Sequence, residues 1–170
     1  RALYGMESYS DVLAIAETEA ECQVPNAQLL ILGALAAEEL DQTDVADRLA
    51  NLALSSATDA TLAESVGGCV RLRAKRGGAE ITDLEAFAKD HLGDRLDKIA
   101  VALADSAAAL GDPHRAAHWF GVARSTRPYL ALGVQINELA NALVIATDNS
   151  DHREISRIIS LLQQHLDSVK

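Results

Sequence analysis

Apolar residues recur every three to four positions along almost the whole of this chain, and alternation of apolar with polar residues is confined to short runs such as 70–75. That spacing is one face of an α-helix; alternation would mark a half-buried strand. The pattern predicts an all-α protein of about nine helices, over 9–22, 26–39, 43–55, 59–75, 80–90, 94–109, 113–126, 129–146 and 151–168. Punctuation supports these limits. Pro25 and Pro128 stand at helix boundaries, and only three prolines occur in the chain. Gly111-Asp112-Pro113 closes one helix in a left-handed turn and opens the next, with Asp112 as N-cap and Pro113 in the first helical position. Asp148-Asn149-Ser150-Asp151 forms a turn with a ready N-cap. Arg76-Gly77-Gly78 reads as the loosest loop.

A length of 170 residues suits one domain with a real core. The apolar share is 49% and the aromatic share only 4%, so alanine and leucine supply the burial and helices approach closely. Nine helices with short connections make antiparallel neighbours, either in a bundle or in a stack of helical hairpins. A search for repeats decides between the two.

The clearest order lies in GDPHRAAHWFGVARSTRP, residues 111–128. Ala116, Phe120 and Ala123 share one helix face, where small residues allow close approach and the ring fills the space between them. A large-small pair, Leu103-Ala104, precedes Gly111 on the partner helix. The same pair recurs as Leu32-Gly33 and Val66-Gly67, and Ala46 and Ala53 follow the first of these at matching spacing. Residues 100–128 resemble the tetratricopeptide repeat through Leu103, Ala104, Gly111, Ala116, Phe120, Ala123 and Pro128. Residues 26–55 match more weakly, and residues 62–90 match only in their first helix, through Val66, Gly67 and Val70. The pair 129–168 has helical periodicity without the motif. The other reading of the periodicity is a non-repeating Ala/Leu bundle.

The resemblance implies a superhelical array of antiparallel hairpins in one domain spanning 1–170, whose concave groove holds a peptide or protein. Groove-facing positions would be Ala27, Leu30, Ala34 and Ala37, then Thr61, Glu64, Gly68 and Arg71, then Lys98, Val101, Asp105 and Ala108. The candidate partner-binding residues are Thr61, Glu64, Arg71, Lys98, Val101 and Asp105. Their mixed charge does not resemble a dedicated clamp for a terminal carboxylate. The implied function is a non-catalytic binding module, the sensory or interaction domain of a larger bacterial-type transcriptional or signalling regulator. The alternative is a structural adaptor that self-associates, as a homodimer for instance, through its ends or final helix. There Ile155, Ile158, Ile159, Leu162 and Leu166 form one apolar stripe, read either as a cap or as an interface.

Charge and motifs narrow the classes further. The net charge of -10 opposes direct binding of nucleic acid and fits a soluble, cytoplasmic protein. No run reaches the length of a membrane span. The chain begins Arg1-Ala2-Leu3-Tyr4, without an initiator methionine or apolar leader, and reads as a piece of a longer polypeptide. Cys22 and Cys69 lack zinc-ligand neighbours; they read as reduced thiols packed as small core residues, a disulfide being the other option. His114 and His118 have a metal-binding spacing but no third ligand. The acidic pairs Glu38-Glu39, Asp94/Asp97 and Asp148/Asp151 read as solvated. No catalytic, metal or cofactor constellation is expected. RLRAKRGG, 71–78, gathers four of the 15 basic residues. It reads as cations answering a helix C-terminus, or as an anchor for an acidic tail or phosphate.

Overall fold

A computed structural model describes residues 8–127 and 131–167, with side chains as far as 165. Among them are nine α-helices and no strand. They are α1 (Tyr9–Ala20), α2 (Ala27–Glu39), α3 (Thr43–Ser56), α4 (Leu62–Arg76), α5 (Ile81–Leu92), α6 (Ala100–Ala109), α7 (Pro113–Thr126), α8 (Leu132–Asp148) and α9 (His152–Asp167). A 3-10 turn, Leu96–Ile99, precedes α6.

Local chemistry sets most of the ends. Asn26 caps α2 by accepting from the Gln28 amide at 3.0 Å, and Asp112 caps α7 by accepting from the Arg115 amide at 2.9 Å. Asp151 does the same for α9 through the Glu154 amide at 3.0 Å. Gly111 has φ 77°, the left-handed conformation expected between α6 and α7. Gly77 and Gly78 take φ 73° and 78° where α4 stops. Pro128 lies outside the described residues.

One predicted helix is divided. Instead of running unbroken from 94, the chain tightens into the 3-10 turn before α6. This turn sets Ile99, 4% exposed, against α4, where its Cγ2 lies 3.4 Å from the Cβ position at Gly67. The α4 helix also starts later than predicted. Thr58 and Thr61 close a turn before it, the Thr58 amide donating to Thr61 Oγ1 at 3.0 Å.

Consecutive helices pair as α2/α3, α4/α5, α6/α7 and α8/α9. The first members also touch in series, α2 with α4, α4 with α6 and α6 with α8. They form one row. The second members α3, α5 and α7 each pack on their own partner and on the first helix of the next pair, α9 packs on α8, and α1 covers α2 and α3. Burial falls in two clusters, one around α1–α3 and one around α4–α7, and half-buried Leu54 and Phe87 touch both. Ala116, Phe120 and Ala123 are all 0–1% exposed, as their shared face requires. Leu103, Ala104, Ala46 and Ala53 are fully buried.

Two glycines fix the closest crossings. A Cβ on Gly33 would stand 2.1 Å from Ala16 Cβ, so α1 lies directly on α2. In the second pair the crowded position is Gly68 rather than Gly67. A Cβ there would stand 2.2 Å from Ile31 Cγ1, whereas Gly67 has room at 3.4 Å. Thus Gly68 is a contact between α2 and α4, and the expectation that it faces a groove is corrected.

Candidate functional site

A cleft of about 640 Å3 opens beside the first row, between the start of α4, the 3-10 turn, the start of α6 and the start of α8. Glu64, Arg71, Lys98 and Val101 all line it. Of the six predicted site residues, the fold therefore brings four together. Gly67, Ile99 and Ala102 supply an apolar floor, and Arg95 and Arg127 add two cations. Thr61 is not a lining residue; it is the N-cap of α4 and bonds within its own turn.

Asp105 bounds a neighbouring hollow. Its Oδ2 accepts from Arg71 at 3.3 Å and its Oδ1 from Asn137 Nδ2 at 3.2 Å. Arg71–Asp105–Asn137 thus forms a polar bar from α4 across α6 to α8. On its far side a hollow of about 280 Å3 is lined by Leu35, Leu72, Lys75 and Ser106, with Arg71 facing both spaces. The Ser106 hydroxyl is buried without a hydrogen-bond partner there.

Three cations of the basic run on α4, Arg73, Lys75 and Arg76, make contacts within the fold. Lys75 pairs with Glu39 at 2.8 Å. Arg76 binds Glu38 at 2.7 Å and Asp47 at 2.5 Å, joining the end of α4 to α2 and α3. Hydrogen bonding to Glu38 is the main cause that raises the Arg76 pKa above its ordinary value. Arg73 lies over the Phe87 ring at 3.8 Å, a cation–π contact.

Other expectations are corrected. Ala27, Leu30, Ala34 and Ala37 are at most 3% exposed, so α2 offers no shallow groove through them. Leu30, Ala34 and Ala37 share a core cluster with Val12, Leu13 and Ala16 of α1. Cys69 is buried, and desolvation pushes its thiol up to about 11. Cys22, however, is exposed after α1 and is not a core residue; both thiols are free. His114 and His118 are exposed on α7, and the described residues hold no cluster of three or more potential metal-binding side chains. Nor is any described helix long and apolar enough to cross a membrane. The α9 stripe is divided too, with Ile158 buried and Ile159 43% exposed, while the Leu166 side chain lies outside the described ones.

The sequence reading gave no role to Glu85 or Trp119, which latch α5 to α7. Glu85 accepts from Arg115 Nε at 2.8 Å and Arg115 Nη2 at 2.6 Å, and from Trp119 Nε1 at 2.7 Å. Burial alone would raise the Glu85 pKa. The hydrogen bonds from Arg115 and Trp119 outweigh it and hold the pKa below the ordinary 4.5. A depressed carboxyl pKa adds stability above its unfolded value, and that stability is lost as pH falls through the folded value. Glu85→Gln is therefore expected to lose about 1–2 kcal/mol at pH 7. Urea unfolding at pH 7 and pH 3 checks this: the deficit should shrink in acid, and an equal deficit at both pH values would contradict the latch.

Arg95 and Arg127 were also missed as cleft residues. They belong to connections between helices, where no periodicity signals a shared surface. Compared with protein-family models, with curated proteins and with solved structures, the chain matches none of them.

Proposed function

We propose that this chain is a tetratricopeptide-like array and a non-catalytic binding module. It serves as the sensory or interaction domain of a larger transcriptional or signalling regulator, taking a protein or peptide on the first-row face. The observation that carries this reading is the cleft itself. Glu64, Arg71, Lys98 and Val101, chosen from the spacing of the repeats, line one cavity of about 640 Å3. The serial contacts of α2, α4, α6 and α8 agree with a hairpin array. A cytoplasmic setting suits the same reading.

Affinity capture from a lysate tests it with two baits, the intact chain and Arg71→Glu/Lys98→Glu, each with the same circular dichroism melt. A partner held by the first and lost by the second is the expected result. Equal capture by both would move the interface elsewhere. The second reading is self-association through the last hairpin, favoured by Val144 and Ile159, which are 49% and 43% exposed. Sedimentation that is concentration-dependent and abolished by Val144→Lys/Ile159→Lys would support it.

A further inference from the structure

The larger cleft carries a charge opposite to that of the chain. The protein has a net charge of -10. Around this cavity, however, stand Arg71, Arg95, Lys98 and Arg127, against the carboxylates of Asp59 and Glu64. The four cations come from α4, from the connection before the 3-10 turn, from that turn, and from the connection that follows α7. Only the fold gathers them. Glu64 accepts from Gln28 Nε2 at 2.5 Å, and Arg71 donates to Asp105. Among the described residues, no acidic side chain forms an ion pair with Lys98 or Arg127. Isolated exposed charges interact weakly with a partner. Several of one sign around a concave, partly desolvated wall act together and focus the potential.

Below that rim the surface is apolar, with Leu62, Ala63, Ile99, Ala102 and Val134. A volume of about 640 Å3 lies within the roughly 300–1,000 Å3 of pockets that enclose small ligands. The Arg71–Asp105–Asn137 bar separates this space from the hollow beyond it, so the cavity is compact and not one stretch of a long trough. We infer that the cleft binds a compact anion with an apolar body, the anionic group facing Lys98 and Arg127 and the body resting on Ile99 and Ala102. This rests on the first-row face being the binding face, and adds to it the chemistry selected there.

The probe is 8-anilinonaphthalene-1-sulfonate, with uncharged N-phenyl-1-naphthylamine beside it, followed by fluorescence on the intact chain. Saturable binding of the sulfonate is expected, at least tenfold tighter than the neutral dye and weakened by added salt. Lys98→Glu/Arg127→Glu should weaken it at least tenfold while its circular dichroism melt stays unchanged. Lys89→Glu, on the exposed side of α5, should leave it unaltered. Absence of saturable binding, equal affinity in the double variant, or equal binding of the neutral dye would each overturn the inference. If sulfonate binding fails while capture still depends on Arg71 and Lys98, the ligand class falls and the binding-face reading stands. Charge-dependent sulfonate binding with equal capture by both baits supports the ligand class and overturns the macromolecular partner.

Discussion

Phe120→Ala is expected to lower the stability of the chain by about 3–5 kcal/mol, among the largest effects of any single truncation here. The ring is 1% exposed and belongs to the cluster that joins α4 through α7. Its neighbours on the same face are Ala116 and Ala123, both at most 1% exposed. Neither alanine has rotamers with which to fill the space left behind, so the cavity would persist instead of collapsing. Thermal unfolding by circular dichroism should show a midpoint lower by roughly 10 °C. A loss under about 1 kcal/mol would mean that the ring is not the filler between these helices.

Gly68→Val should also destabilise the chain, through the opposite fault. Its Cβ would stand 2.2 Å from Ile31 Cγ1 and 2.7 Å from Ile31 Cδ1. Ile31 is itself 2% exposed and belongs to the core cluster around α1–α3. The helices α2 and α4 would have to separate, and overpacking of this kind costs about 1–3 kcal/mol or more. Gly67→Ala is the control, because its Cβ meets only ordinary contacts at 3.4 Å. Urea unfolding of the two variants checks the register. Equal losses at 67 and 68 would contradict the crossing described.

The pair of glycines also shows where the sequence was legible and where it was not. A small residue at 67 or 68 signals close approach, but the signal is one residue broad. Which of the two faces the neighbouring helix depends on how α4 is rotated against Ile31. The end of α6 and the start of α7 were readable because Gly111, Asp112 and Pro113 act through their own backbone and nearest amides. The 3-10 turn was not, because Ile99 tightens it by docking on α4, a distant contact. The same holds for α2. Its Leu30, Ala34 and Ala37 read as a shallow apolar groove only while α1 is left out, and α1 covers the core cluster that contains them. In the candidate site, Glu64, Arg71, Lys98 and Val101 were reachable from repeat spacing. Arg95 and Arg127 lie in connections, so their convergence follows from the stacking of hairpins and has no counterpart in the periodicity.

The claim that the first-row face is where this protein binds is tested most directly by amide hydrogen exchange, comparing the free chain with the complex recovered by affinity capture. Exchange is expected to slow over 59–71, 95–102 and 131–134, the segments that line the larger cleft. Slowing confined to 152–167, with those three segments unchanged, would contradict it and move the interface to the last hairpin.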